Sequence, residues 1–200
     1  MANNNTINKK TSALSVNGEY SLPTVDGDAD EVMTTDGSGT VTWETNSFSG
    51  ILVQEVAGTT SSFVQTNSKI PGDNTIPQKT EGTEIITVSI TPKSSTNILL
   101  IKATSYLTYS GVSVNVGVYA IFQDDTSNAL AVGECINSTV SIEAFVVRYH
   151  MVAGTTSSTT FKLRVGTITG ATNAGVNGSS AARNFGGVSS TIITVQEYSA

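Results

Sequence analysis

Apolar and polar positions alternate with a period of two along most of the chain. The clearest run is Val112, Val114, Val116, Val118, Ala120 and Phe122, whose intervening Ser113, Asn115 and Gly117 face the other way, as in a strand with one side on a core and the other toward water. The same parity recurs in Ile86, Val88 and Ile90, in Leu99, Ile101, Ala103 and Leu107, and in Phe161, Leu163 and Val165. From Ile51 onward the pattern predicts strands at 51–56, 63–67, 84–91, 98–109, 112–123, 129–135, 145–152, 160–168 and 191–198, and no helical period persists. Turn residues separate them. The stretches 124–128 and 153–158 read as hairpin connections and 170–187 as a long Gly/Asn/Ser/Ala loop. Short strands in this number and spacing describe an all-β fold, an antiparallel β-sandwich of the jelly-roll type.

Residues 1–49 read differently. Short extended pieces lie between Asn17-Gly18, Asp26-Gly27 and Asp36-Gly37-Ser38-Gly39, with too little apolar surface for a core of their own. Residues 31–35 and 40–43 predict two short strands around a Gly-containing turn, a β-hairpin. Such a piece is ordered only when packed on something else, which makes Val32, Val41 and Trp43 the candidate packing residues of a trimer. The expected organisation is an N-terminal attachment and trimerisation segment, 1–49, followed by a sandwich head, 50–200.

Composition narrows the partners. Charged residues are 13% of the chain and the formal net charge is −6, about half the usual charged fraction, so the surface is hydroxyl and amide rather than ionic. Ten Lys and Arg among sixteen acids supply no patch for releasing counterions, which argues against nucleic acid. The apolar runs, Ile98 to Ile101 among them, are far short of a membrane span. The opening MANNNTINKK lacks the apolar region of a signal peptide. Cys135 and His150 are the single cysteine and histidine, so no intrachain disulfide, zinc site or cofactor is expected.

Candidate chemistry is sparse. Asp26, Asp28 and Asp30 open like a calcium loop, but Glu31 stands where the turn glycine belongs and Gly37 where the bidentate glutamate belongs; a solvated acidic turn is the better reading. Gly37 and Gly39 precede a strand instead of opening a helix, as a hairpin turn does and a dinucleotide loop does not. His150 has no G-x-S-x-G elbow to serve, and no catalytic or metal site is expected. Asn4, Asn137 and Asn177 begin N-x-[ST] sequons that stay unmodified without a secretory leader. Parity singles out one feature. With Phe145, Val147, Tyr149 and Met151 on one face and Phe161, Leu163 and Val165 on another, a hairpin turning near Thr156 sets Arg148 against Arg164 and His150 against Lys162. Like charges directly opposed are destabilising unless an acid answers them. Glu134, Glu143 or a neighbouring subunit's carboxylate would do so, which makes the stripe a candidate interface or ligand-facing patch, against the bland alternative of a solvated sheet face.

Two stretches carry a resemblance. The piece Gly18 to Gly27, GEYSLPTVDG, followed by Val32 to Trp43, VMTTDGSGTVTW, resembles a segment of bacteriophage tail fibres of the form Y-x-L-P-x-x-D-G then L-x-T-D-G-S-G-x-x-x-W. Ile76 to Glu84, Ile90 to Ser94 and Ala181 to Gly187 look like a C-terminal head domain of phage fibre and virion-surface proteins. The resemblance implies a homotrimeric, non-enzymatic protein of the particle surface, made in the host cytoplasm, whose N-terminus docks on another virion protein and whose jelly-roll head points outward. A short tail fibre or spike contacting a host-surface glycan or protein is the leading expectation. A capsid head-fibre or decoration protein with no obligate receptor is the alternative. A depolymerase would need a carboxylate pair in a groove, and the acids here lie mainly in turns. Binding residues favour loops carried on rigid sandwiches, which points to Asp124, Asp125, Asn173, Asn177 and Asn184 as candidate receptor-facing positions.

Overall fold

Alternating β-branched and aromatic residues favour the pleated backbone, and the described residues contain no α-helix. The computed structural model describes residues 15–16, 20–29, 31–45, 49–110, 115–137, 142–170, 173–179 and 182–200, and the chain divides into two units, Met1–Phe48 and Ser49–Ala200.

In the first unit β1 (Ser15–Val16) pairs with β2 (Tyr20–Ser21), and β3 (Glu31–Thr35) pairs with β4 (Val41–Thr45) as an antiparallel hairpin. Asp36 closes the turn. Its carboxylate accepts hydrogen bonds from the Ser38 amide at 2.8 Å, the Ser38 hydroxyl at 2.7 Å and the Thr40 amide at 3.1 Å, and these bonds, led by the Ser38 hydroxyl, hold its pKa down at about 2. Gly37 and Gly39 take the positive φ values, 78° and 97°, that the turn needs. Trp43 donates its indole N–H to the Val25 carbonyl at 2.9 Å. Its ring lies so close to Gly27 that a Cβ there would sit 2.6 Å from Trp43 Cδ2. Register corrects one expectation about this piece. Trp43 opposes Met33 and Val41 opposes Thr35, whereas Val32 opposes Glu44, so Val41 and Trp43 share a face with Met33 and Val32 lies on the other side.

The second unit opens with β5 (Leu52–Thr60), β6 (Val64–Thr66), β7 (Thr83–Ile90) and β8 (Ile98–Ser110). It continues with β9 (Asn115–Gln123), β10 (Ala131–Asn137), β11 (Ile142–Val152) and β12 (Thr159–Thr167). Three short strands follow, β13 (Asn173–Val176), β14 (Gly178–Ser179) and β15 (Ala182–Arg183), before β16 (Thr191–Tyr198). The large sheet runs β5-β16-β8, with β11 along the other edge of β8, and the small sheet runs β10-β9-β12-β7. All of these pairs are antiparallel. Leaving the short strands aside, the first main strand pairs with the last, the second with the seventh, the third with the sixth and the fourth with the fifth. The chain is therefore one long antiparallel ribbon, its tip at the β9–β10 turn, rolled so that successive pairs alternate between sheets: a jelly roll. The two excursions from the ribbon leave it at the same level, and they pair with each other, Ala174 with Thr66 and Val176 with Val64. The stretch 170–187, expected as an open loop, is thus partly strand.

Between the sheets lie Leu99, Ile101, Leu107, Tyr119, Ile121, Phe145, Phe161, Leu163, Ile193 and Val195, all buried. Tyr119 and Phe145 stack across the gap with ring centroids 4.0 Å apart. One carboxylate also points inward. Glu197 is fully buried and accepts from Gln54 Nε2 at 2.5 Å, Asn97 Nδ2 at 2.6 Å and the Lys93 and Ser94 amides at 2.8 and 3.3 Å. Burial raises its pKa, and these donors more than offset that, leaving it below the ordinary glutamate value.

The outer face of the small sheet is covered over β9, which corrects the half-buried reading of 112–123 across its described part, 115–123; 112–114 lie outside the described residues. Val118, Ala120 and Phe122 are buried, yet Tyr119 and Ile121, between them, are the ones in the central cluster. The segment between β6 and β7 lies over that outer face. Ile70 donates its amide to the Thr167 carbonyl and Thr167 donates to Ser68, both at 3.0 Å, and a Cβ on Gly166 would meet the Ser68 carbonyl at 2.7 Å. The segment's cover is why both faces of β9 are apolar.

Candidate binding face of the head

The basic stripe does not assemble. Strands β11 and β12 belong to different sheets, because 153–158 crosses between the layers instead of turning a hairpin. The signal for a hairpin, two strands and a short polar loop, is identical to the signal for a sheet-to-sheet crossing. Arg164 opposes Glu84 on β7 and Ala120 on β9, while Lys162 opposes Thr87 and Phe122. Arg164 is a clamp: Nε donates to the Glu81 carbonyl at 2.7 Å, Nη2 to the Gly82 carbonyl at 2.9 Å, and Nη1 lies 3.5 Å from Glu84 Oε2. Arg148 opposes Lys102 and His150 opposes Leu100, on the outward face of the large sheet.

The candidate receptor-facing residues also separate. Asn177 is fully buried, donating to the Thr60 and Ser62 carbonyls at 3.0 and 3.1 Å and accepting from the Thr191 hydroxyl at 3.0 Å. It is a structural pin at φ 60°. Asp124 is exposed in the β9–β10 turn, but its carboxylate accepts from the Thr159 hydroxyl at 2.8 Å and the Thr160 amide at 2.7 Å. Asp125 is exposed and lies 3.6 Å from Lys79 Nζ. Asn173 falls in β13, with its side chain outside the described residues. Asn184 is half-buried and accepts from the Ser179 hydroxyl at 3.0 Å. Asp30 of the acidic triplet lies outside the described residues, and no group of three His, Cys, Asp or Glu side chains gathers among those described. Cys135 lies 3.8 Å from the Tyr109 hydroxyl. Burial pushes both above their ordinary pKa values, so neither is an activated nucleophile.

A concave surface lies elsewhere. The loop between β15 and β16 overhangs the outer face of the large sheet and forms a groove of about 660 Å³. Thr104 and Tyr106 of β8, Val146 of β11 and Ile192 of β16 line it from the sheet, and Phe185 and Val188 from the loop. Parity turns these strand residues outward, since their neighbours Ser105, Phe145 and Ile193 face the core. The loop is firmly rooted. Ser105 and Thr191 share a hydrogen bond of 2.5 Å that joins the Asn177 pin, and the Thr108 hydroxyl reaches the Gly175 and Gly178 carbonyls. At the tip Phe185, Gly186 and Gly187 all have positive φ, 52°, 63° and 91°. For an aromatic residue this conformation costs roughly 1–3 kcal/mol, and Phe185 gains no burial in return, being 74% exposed. The sequence carries a signal for it, a lone aromatic beside Gly-Gly in a polar loop, and parity in β8 carries one for Tyr106; the loop acids and amides expected from position alone include neither.

No protein-family model matches the chain, and no curated protein matches it. Among solved structures it is similar to dimeric latent PorU from Porphyromonas gingivalis, at 4% identity over 77% of this chain and 14% of that one, with a TM-score of 0.35. It is similar also to the infectious bursal disease virus Gx strain structure, at 10% identity over 80% and 40% with a TM-score of 0.33. A third is the VP2 subviral particle of infectious bursal disease virus, at 9% identity over 79% and 41% with a TM-score of 0.28. The chain spans less than half the length of each.

Proposed function

We propose that this protein is a non-enzymatic structural component of a phage virion, a short trimeric fibre or spike. Residues up to about 49 attach it to another virion protein, and the head, 50–200, contacts the host surface. The virion assignment draws on the fibre-like stretches Gly18 to Gly27 and Val32 to Trp43, the second of which forms a hairpin with a carboxylate-closed turn. The contact role rests on one observation: Phe185, held in a strained conformation on a rooted loop, exposes an aromatic ring over an apolar groove. Strain and exposure both cost stability, and a partner's surface is what would offset them. A groove open on one side suits shallow contacts, so several heads acting together would supply the avidity.

The test is particle adsorption. Virions carrying Phe185→Ala are expected to assemble normally and to adsorb about tenfold more slowly, with the head's unfolding midpoint unchanged. Normal adsorption together with loss of particle stability on deleting the whole gene would overturn the contact role in favour of a capsid decoration.

A further inference from the structure

We propose that the ligand of the head is an acidic saccharide chain, bound along the outer face of the large sheet with its rings on Phe185 and Tyr106 and its anionic groups on Lys102 and Arg148. This rests on the reading of the head as a contact module and names the ligand class of that same groove.

Lys102 and Arg148 are direct cross-strand partners, which sets their Cβ atoms about 5 Å apart. Both side chains are exposed. The only ion pairs among the described residues belong to Lys79 and Arg164, so no described acid pairs with either cation. Thr194 flanks Lys102 on the opposite strand. The acid on this face, Glu55 of β5, lies one row away, across β16, and is hydrogen-bonded to Gln196 at 2.5 Å. In a chain of net charge −6, a directly opposed pair of cations without such a partner costs stability that a bound anion would return.

The pair adjoins the groove. Thr104 and Val146, which line it, are themselves cross-strand partners and sit two residues along from Lys102 and Arg148 on the same face, roughly 7 Å away at the strand rise. One sugar ring spans that step. At the far end Arg183 lies against the loop that carries Phe185, its Nη1 2.7 Å from where a Cβ on Gly187 would stand, so cations bracket the apolar stretch. Within the groove the chemistry suits a sugar better than a fatty ligand. Aromatic rings offer flat apolar surface to the C–H face of a pyranose. Thr104, Ser189 and Ser190 add hydroxyl-bearing side chains free to exchange hydrogen bonds with its hydroxyls.

The measurement uses the full chain at physiological ionic strength, with polygalacturonate, alginate and polysialic acid as acidic chains, carboxyl-reduced polygalacturonate as a neutral control, and poly-glutamate as a non-sugar polyanion. At least one acidic polysaccharide is expected to bind, with Arg148→Glu weakening it about tenfold, the size of one charged hydrogen bond, and Phe185→Ala weakening it about tenfold through the lost aromatic contact. The neutral and poly-glutamate chains are expected to bind at least as weakly as those variants. Failure of all three acidic chains overturns the proposal. Equal binding of the neutral chain, with Arg148→Glu silent, removes the acidic requirement and leaves the groove standing if Phe185→Ala still slows adsorption. Equal binding of poly-glutamate with Phe185→Ala silent reduces the face to generic charge and overturns the sugar. A change in molar mass on Arg148→Glu would make the face a contact between copies and also overturn it.

Discussion

Glu197 shows how much a single residue decides. A carboxylate in a core is costly unless every lone pair is answered, and here two side-chain amides and two backbone amides answer it. Its donors fix the 92–97 turn against the last strand, which makes the charge an anchor for the bottom of the sandwich. Because the folded carboxyl has the lower pKa, its contribution is complete above the unfolded value near 4.5 and is lost as pH falls through the folded one. Glu197→Gln is therefore expected to lower stability by about 1–2 kcal/mol at neutral pH, as charged hydrogen bonds become neutral ones. It should also flatten the loss of stability as pH falls below the unfolded value near 4.5. Urea unfolding from neutral pH to below that value checks both, and an undiminished acid dependence in the variant would assign the effect to other carboxylates. Nothing in the string Val195-Gln196-Glu197-Tyr198 says that the glutamate points inward. Only its parity with Ile193 and Val195 does, and a strand-end glutamate is ordinarily read as solvated.

At the scale of elements, periodicity gives the inward face of β8 and β12 and fails in β9, where both faces are apolar. Leu99, Ile101 and Ala103 face inward as their alternation requires, whereas β9 is apolar on both sides because the segment before β7 lies across it. Periodicity reports that a face is buried and never by what. The same blindness placed β11 and β12 in one hairpin and cast Arg164 as an interface residue, when it pins that covering segment through two backbone carbonyls. Arg164→Ala leaves those carbonyls without their donor, and about 2–3 kcal/mol of stability is expected to go with them. The loosening should be local. The Ile70 and Gly82 amides, bonded to the Thr167 and Lys69 carbonyls, are expected to exchange with solvent faster than the amides of Leu99 or Ile101. Uniform acceleration through the head would show that the segment unfolds only with the whole.

For the whole molecule, the two units differ in what they hold. Every buried apolar residue in the described chain, from Ile70 to Val195, belongs to the unit Ser49–Ala200. Its ribbon pairs first strand with last, so that unit closes on itself. The hairpin of the other unit keeps Trp43 half-buried and leaves Met33 53% exposed on the same face, more apolar surface than a lone two-stranded piece can shelter. We therefore expect assembly to reside in residues 1–48. By light scattering the full chain should have three times the mass of one copy, and a chain beginning at Ser49 should be monomeric with an intact β-sheet circular dichroism spectrum. A trimer that survives the truncation would move assembly to the head and put its exposed faces in competition with the ligand. A full chain that stays monomeric would remove the fibre architecture and leave a jelly roll that binds one site at a time, in which case the affinity of the groove alone, without avidity, must account for any attachment.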